Sequence, residues 1–299
     1  MGFQHTETGE AHQDPETRLV YDFYCGAGGV GTVLDELNDV YHVGFDIEDQ
    51  SDTYPGHFVQ ADLSWEHNPC RGWGDLGWWS PPCTAYTPLS QVNYGSREKA
   101  LEEEPRIPEF SVQNQSRELT EYYIIENVPG ASRTDDFQPN VKLNGLAFGL
   151  PFNLERHFET NFPVPDAYKS GDPELVLGGS DWVTTETLAE AKGVPVTWER
   201  QQVNQAMPSV YVEWLLWHCP AIKMPEDSKP ERIDESLTGY EEQPLDPFFY
   251  SESEQSRDSC FRSLQNRFWF DPIRNDDLDV ELELFDDSEE FQSDFSDFV

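Results

Sequence analysis

The stretch DFYCGAGGVG, residues 22–31, is a glycine-rich turn that joins a strand to a helix. An apolar run, LVYDFYC (19–25), leads into the turn, and an amphipathic stretch, GGVGTVLDELN (28–38), leaves it. Glycines at such a turn let the backbone come close to a ligand and direct amide groups towards it from the helix start. This strand, turn and helix therefore predict a ligand-binding unit of an α/β fold.

The same turn has a spacing that is found in dinucleotide sites. Gly26, Gly28 and Gly31 fit G-x-G-x-x-G, although the match is weak on its own and also suits a purely structural turn. Asp22 lies at the strand end, where its negative charge is unfavourable for a pyrophosphate. The turn therefore favours a ligand that carries positive charge.

Four further apolar runs have the β-branched and aromatic character of strands. A helical pattern lies between several of the runs, as in SVQNQSRELTEYY (111–123). Alternating strands and helices predict a mostly parallel sheet covered by helices, a Rossmann-like α/β fold whose ligands lie beyond the carboxyl ends of the strands. The four runs are YHVGFDI (41–47), FVQADL (58–63), LGWWS (76–80) and YYIIENV (122–128).

Acidic residues end two of these strands. Asp46 and Glu48 end the second strand, and Asp62 ends the third. A carboxylate after the second strand commonly accepts two hydrogen bonds from a ribose diol, and Asp62 is placed to accept one from an adenine amino group. Taken singly, each of these acids also fits a solvated strand end.

The segment SPPCTAYTPLS (80–90) follows an apolar strand and contains Cys83. The prolines before it, Pro81 and Pro82, restrict the backbone and hold the cysteine at a defined point. A thiolate is the strongest side-chain nucleophile near neutral pH. The alternative is a buried structural cysteine. The Thr, Ser, Tyr and Gly residues that continue to about residue 99 predict a mobile loop.

The segment IIENVPG (124–130) places Glu126 and Asn127 at the end of another apolar strand. A carboxyl group in a dry site has a raised pKa and is able to donate a proton. An ordinary strand-terminal acid is the alternative interpretation of Glu126.

Taken in order, seven motifs resemble those of the C5-cytosine DNA methyltransferase family, most of all its compact viral and phage members. The resemblance covers about residues 19–217, and its strength lies in the order of the motifs rather than in any one of them. It implies an enzyme that uses S-adenosylmethionine to methylate carbon 5 of a flipped-out cytosine in double-stranded DNA, through a covalent adduct. The motifs are DFYCGAGG, GFDIE, QAD, SPPC, IENV, RHFETNF and NQAMP.

The resemblance also implies a role for each matching residue. Cys83 is the expected nucleophile, placed by Pro82, and Glu126, beside Asn127, is expected to grip cytosine N3 and N4. Arg156 is expected near the base and the nucleophile. The cofactor residues implied are Phe23, Gly26, Gly28 and Gly29 for the methionine part, Asp46 for the ribose, Ile47 and Asp62 for the adenine, and Gln205 beside the pocket.

Three departures from the family pattern bear on how the substrate is positioned. Thr84 stands where Gln usually follows Pro-Cys, and Leu154 replaces the first of two paired arginines. Asn204 and Gln205 stand where the last motif usually has Gly-Asn. Ser-Pro-Pro also begins the Ser-Pro-Pro-Tyr motif of enzymes that methylate exocyclic amines, where the aromatic ring stacks on the base. Cys83 cannot stack in this way, so the departure favours covalent chemistry.

The charge balance is unusual, with 58 acidic and 19 basic residues and a net charge of −39. Such acidity is typical of extreme halophiles, in which concentrated salt screens repulsion between a protein and DNA phosphates. The five cysteines form no CxxC pair, so neither a disulfide framework nor a metal site is predicted. With no apolar run of membrane length and no secretory leader, we expect a cytoplasmic monomer, in the host cytoplasm if the protein is viral.

The composition divides the chain into five predicted parts. The predicted target-recognition region, residues 163–202, has few basic residues, namely Lys169, Lys192 and Arg200, which predicts a short target site or help from another element. The parts are a leader (1–17), a catalytic domain (18–162), a small target-recognition region (163–202), a helix that returns to the catalytic domain (203–222) and an acidic, largely disordered extension (223–299).

Three other functions are compatible with parts of the sequence. The first is a methyltransferase that acts on transfer RNA, since a branch of the family does so. The second is a catalytically silent DNA-binding homologue, which the presence of both Cys83 and Glu126 disfavours. The third is a nicotinamide oxidoreductase, which leaves SPPC and IENV unexplained.

Overall fold

A seven-stranded sheet forms the centre of the protein in a computed structural model that describes residues 17–63, 73–174 and 183–231. Its order is β3-β2-β1-β4-β5-β7-β6. The first five strands in this order are parallel to one another, and β7 is antiparallel to both β5 and β6. The strands are β1 (Arg18–Phe23), β2 (Val40–Asp46), β3 (His57–Gln60), β4 (Gly74–Trp79), β5 (Thr120–Asn127), β6 (Val141–Leu143) and β7 (Arg156–Thr160).

Seven α-helices accompany these strands in the described part of the chain. The five predicted strands and the predicted α/β fold with a mostly parallel, Rossmann-like sheet are confirmed. Strands β6 and β7 were not predicted as strands. The helices are α1 (Gly29–Leu34), α2 (Pro88–Tyr94), α3 (Arg97–Glu103), α4 (Val112–Leu119), α5 (Thr185–Lys192), α6 (Arg200–Gln205) and α7 (Ser209–His218).

Apolar side chains cover both faces of the sheet because successive residues of a strand point to opposite faces. On one face Val20 of β1 packs with Leu34 of α1 and Leu215 of α7. On the other face Phe23 of β1 packs in a second core that includes Val112 of α4. Helices therefore cover both faces, and the carboxyl edge of the parallel strands is the open edge expected to bind ligands.

The turn between β1 and α1 needs glycine for its backbone. Gly28 has a φ of 97°, and a Cβ placed on it would lie 2.8 Å from the Pro55 Cδ atom. A larger residue is therefore excluded both by conformation and by space. Tyr24, with a φ of 59°, also has a left-handed conformation, which is uncommon for a bulky residue and marks the turn as constrained.

The segment after Cys83 is helical, so the prediction of a loop up to about residue 99 is wrong. A 3-10 turn, Thr84–Tyr86, leads into α2 and α3. The Thr87 hydroxyl accepts a hydrogen bond from the Ser90 amide at 3.2 Å, and the Ser96 hydroxyl accepts one from the Lys99 amide at 3.2 Å. These are ordinary N-caps, and they explain why polar residues that are typical of loops begin helices here.

Parts of the predicted organisation lie outside the described residues, namely residues 1–16 of the leader, 64–72 of the catalytic domain, 175–182 of the target-recognition region and 232–299 of the acidic extension. Within the described ranges, no helix is both long and apolar enough to cross a membrane. In the same ranges, no group of three or more His, Cys, Asp or Glu side chains is arranged to hold a metal ion.

Candidate active site

Cys83 lies just past the end of β4, at the carboxyl edge of the sheet. Pro81 is buried, Pro82 is exposed and Cys83 is partly exposed. Burial and the nearby Glu126 carboxylate raise the pKa of the Cys83 thiol above its usual value, while the positive charge of Arg156 acts in the opposite direction. The structure thus brings together three residues that the sequence indicated separately.

Glu126 and Arg156 form an ion pair between β5 and β7. The Arg156 Nε atom lies 2.9 Å from the Glu126 Oε1 atom, and both side chains are largely shielded from solvent. Burial raises the pKa of Glu126, and Arg156 only partly offsets this effect. Glu126 is therefore a carboxyl group that is suited to hold and release a proton beside the thiol.

Asn127 braces the loop that carries the nucleophile. Its Nδ2 atom donates a hydrogen bond to the Pro81 carbonyl oxygen at 3.1 Å, and its Oδ1 atom accepts one from the Val128 amide at 2.9 Å. The side chain is fully buried. Asn127 is thus placed to position the Pro-Pro-Cys loop rather than to contact a substrate.

Asp46 connects the end of β2 to the glycine turn. Its Oδ2 atom accepts a hydrogen bond from the Gly26 amide at 2.9 Å, and its Oδ1 atom accepts one from the Glu48 amide at 3.0 Å. Each carboxylate oxygen can accept a second bond, so Asp46 keeps the capacity to bind a diol. Ile47 beside it is 66% exposed, and Asp62 is also exposed.

Tyr24, rather than Phe23, is the aromatic residue that faces these acids. Phe23 is fully buried and stacks on Phe45 and Trp79, so its ring is part of the core. The Tyr24 hydroxyl is buried and, within the described residues, has no hydrogen-bond partner. Burial and the charges of Asp62 and Asp46 raise the pKa of Tyr24. The role of Tyr24 was not predicted, because the left-handed backbone at this residue has no local signal in the sequence.

The glycines of the turn differ in what surrounds them. Space around Gly26 is open, since a Cβ placed on it would meet no atom within 4 Å. Gly28 packs against Pro55, and Gly29 packs against Met207, whose amide nitrogen would lie 3.0 Å from an added Cβ. Gly26 is therefore the turn residue open to a ligand, whereas the other two hold neighbouring segments close.

Gln205 is exposed at the end of α6. Ala206 and Met207, which follow it, lie against Gly29 of the turn. A buried lysine holds this end of α6 in position, because the Lys192 ammonium donates hydrogen bonds to the carbonyl oxygens of Val203, Asn204 and Ala206 at 2.8–2.9 Å.

Lys192 was expected among the basic residues of the recognition region. Its side chain is only 2% exposed, which removes it from any surface that meets DNA. Burial, together with the positive charges of Arg156 and Arg200, lowers its pKa to about 7. The carbonyl oxygens at a helix end need hydrogen-bond donors, and the ammonium group of Lys192 alone donates to three such oxygens.

Comparison with known proteins finds similarity to solved structures only. No family model matches the chain, and no curated protein matches it. The Entamoeba histolytica methyltransferase EhMeth is 12% identical with a TM-score of 0.48, and the alignment covers 68% of this chain and 98% of that one. The Schizosaccharomyces pombe Dnmt2 methyltransferase is 17% identical with a TM-score of 0.34, covering 48% and 49%.

A third similar structure is a putative DNA modification methyltransferase encoded within an Escherichia coli prophage. It is 17% identical with a TM-score of 0.31, and the alignment covers 58% of this chain and 54% of that one. The chain thus spans about half the length of the second and third structures that it matches.

Proposed function

We propose that the protein is a methyltransferase that uses S-adenosylmethionine to methylate carbon 5 of cytosine in DNA. The observation that carries this proposal is the grouping of Cys83 with the Glu126–Arg156 ion pair at the carboxyl edge of the sheet. A nucleophile, a buried acid and a cation at one point provide what covalent attack on a pyrimidine requires. The order of the sequence motifs supports the same function.

The residues at the ends of β1, β2 and β3 fit the proposed cofactor. Gly26 leaves open space, and Tyr24 offers a buried hydroxyl that has no partner in the described part of the chain. Asp46 would hold the ribose, while Ile47 and Asp62 would hold the adenine. When bound, S-adenosylmethionine supplies the methyl group from its sulfonium centre. Phe23, Gly28, Gly29 and Gln205 would act only through packing or not at all, given where they lie.

Cys83 begins the reaction by attacking carbon 6 of the cytosine ring. The thiolate sulfur forms a bond to C6, the electrons of the C5–C6 double bond form a double bond between C4 and C5, and those of the N3–C4 double bond move to N3, which takes up a proton. The product is an enamine with a nucleophilic C5, whereas C5 of free cytosine is a poor nucleophile. Once C5 carries its methyl group, a base such as a water molecule takes the C5 proton, and the electrons of the C5–H bond restore the C5–C6 double bond as the Cys83 thiolate leaves. N3 returns its proton to Glu126, which completes the aromatic ring.

Glu126 provides the proton that N3 needs. Burial raises its pKa, which favours the protonated form that can donate to N3. Arg156 moderates this effect, since its charge favours the ionised carboxylate that remains after the proton has moved. The same cation favours the Cys83 thiolate, so Arg156 stabilises two negative groups of the reaction.

DNA is the proposed substrate, and the target cytosine must leave the duplex because a stacked base cannot reach Cys83. The region 163–202 remains our proposal for target recognition, although Leu188 and Ala189 of α5 within it pack in a core with Ala27 of the glycine turn. The buried face of α5 is therefore not available to contact bases.

Transfer of a labelled methyl group tests the proposed function. The full chain, in molar KCl, is incubated with labelled S-adenosylmethionine and either duplex DNA or transfer RNA. We expect label in the DNA, at C5 of cytosine, and none with Cys83→Ser. Label in transfer RNA alone would move the substrate to RNA, and label that persists with Cys83→Ser would exclude the covalent mechanism.

A further inference from the structure

Tyr86 lies three residues after Cys83, in the 3-10 turn Thr84–Tyr86, and is 1% exposed. Its hydroxyl donates a hydrogen bond to the Asp136 Oδ2 atom at 2.9 Å. The same hydroxyl accepts a hydrogen bond from the Ile107 amide at 2.8 Å. One buried phenol thus connects the nucleophile loop to two segments that are distant in sequence.

Asp136 is in turn held by a bidentate pair with Arg106. The Arg106 Nε atom lies 2.7 Å from Asp136 Oδ2, and the Nη2 atom lies 2.5 Å from Asp136 Oδ1. Burial opposes ionisation of Asp136, but the hydrogen bonds from Arg106 and Tyr86 outweigh it and lower the pKa of the carboxyl group. Asp136 is therefore a fixed carboxylate, and bidentate geometry of this kind restricts orientation as well as distance.

The backbone of Tyr86 is also held closely. A Cβ placed on Gly130 would lie 2.0 Å from the Tyr86 carbonyl oxygen, so only glycine allows the two segments to approach this far. Together with the Asn127–Pro81 hydrogen bond, this contact fixes the nucleophile loop before and after Cys83. Both contacts come from the chain that directly follows Glu126.

We propose that Tyr86, Asp136 and Arg106, the Tyr86 clamp, are positioning residues that hold Cys83 at the distance from Glu126 needed for attack. The chemical meaning of the clamp rests on the function proposed above. Its effect on the position of Cys83 does not depend on that function, because the clamp connects the residues after Cys83 to the segment that follows Glu126. A misplacement of about 1 Å between reacting groups is enough to cost roughly a hundredfold in rate.

The test compares Tyr86→Phe and Asp136→Asn with wild type in the full-length protein. Alkylation of Cys83 by iodoacetamide is followed by mass spectrometry of its peptide, and methyl transfer to duplex DNA is measured in parallel. We expect alkylation to become severalfold faster in both variants, because a released loop exposes the thiol. We expect kcat for methyl transfer to fall about tenfold or more, with little change in KM.

Tyr94→Phe is the matched control, because it removes a tyrosine–carboxylate hydrogen bond, to Glu104 at 2.9 Å, on the same helical segment but outside the clamp. It should leave both rates unchanged. Circular dichroism establishes that each variant is folded. Wild-type alkylation rates in folded Tyr86→Phe and Asp136→Asn would overturn the clamp.

The two readouts also separate this proposal from the proposed function. If wild type methylates no nucleic acid, the proposed function fails, and the alkylation rates alone still decide whether the clamp positions the thiol. A variant that is only less stable, with unchanged alkylation in its folded state, counts against the clamp.

Discussion

The Arg156 Nε atom lies 2.9 Å from the Glu126 Oε1 atom, so the first residue of β7 neutralises an acid near the end of β5. The antiparallel pairing of these two strands produces the contact, with Glu126 opposite Phe158 in the register. An unpaired buried carboxylate is costly, which makes this pair the electrostatic centre of the site.

Arg156→Ala is expected to leave Glu126 buried without its partner. Breaking a buried pair from one side typically costs about 3 kcal/mol, so we expect lower stability together with a loss of methyl transfer of at least a hundredfold. Urea unfolding and steady-state kinetics measure the two effects. Arg18→Ala, which removes a more exposed pair with Asp75, is the control and should leave the kinetics intact. Near-normal kinetics in Arg156→Ala would remove the pair from the mechanism.

The reactivity of Cys83 should depend on pH in a way set by its two charged neighbours. Burial and Glu126 raise the pKa of the thiol, so its alkylation rate should rise with pH through a midpoint above that of an ordinary cysteine. Glu126→Gln removes a negative charge and should lower the midpoint, whereas Arg156→Ala should raise it. Midpoints that do not shift would show that these groups lie too far from the thiol to act on it, and shifts in the opposite directions would contradict the roles assigned to the two charges.

The cofactor pocket is tested most cleanly through Asp62 and Tyr24. Asp46 is less suitable, because its loss would also free the Gly26 amide. Asp62→Ala is expected to raise the Kd for S-adenosylmethionine about tenfold, and Tyr24→Phe to raise it severalfold, as expected for hydrogen bonds to a charged and to a neutral group. Calorimetry in molar KCl measures both. Asp49→Ala, an exposed acid nearby, is the control, and equal Kd values in all four proteins would place the cofactor elsewhere.

The net charge of −39 predicts that folding depends on salt. Self-repulsion among carboxylates is screened over about 3 Å in molar salt and over much longer distances in dilute buffer. Circular dichroism should therefore show native structure in molar KCl and its loss on dialysis to low salt. A cooperative and stable fold in dilute buffer would contradict the halophilic interpretation.

The sequence predicted the parts of the fold that depend on continuous apolar runs. The strands β1 to β5 are such runs, and their ends place Asp46, Cys83 and Glu126 at one edge of the sheet. Strand β6 has only three residues and gives no period to detect. Long apolar strands therefore made the candidate site predictable from the sequence, whereas the short strand at the outer edge of the sheet was not.

Side-chain direction and burial were harder to predict than position along the chain. Phe23 and Tyr24 are adjacent aromatic residues, yet Phe23 is fully buried in the core while the pKa of Tyr24 is raised by the charges of Asp62 and Asp46. Lysine is usually a surface residue, yet Lys192 is buried because the carbonyl groups at the end of α6 need hydrogen-bond donors. Such outcomes depend on tertiary contacts that local sequence does not encode.

Covalent trapping shows whether Cys83 attacks the ring of a DNA cytosine. Duplex DNA that contains 5-fluorocytosine is incubated with the full chain and S-adenosylmethionine, and the product is digested for mass spectrometry. Fluorine at C5 cannot leave as the proton does, so we expect a stable adduct on the peptide that contains Cys83, and none with Cys83→Ser. Methylation of ordinary cytosine without any trapped adduct, or an adduct on another cysteine, would contradict this role of Cys83.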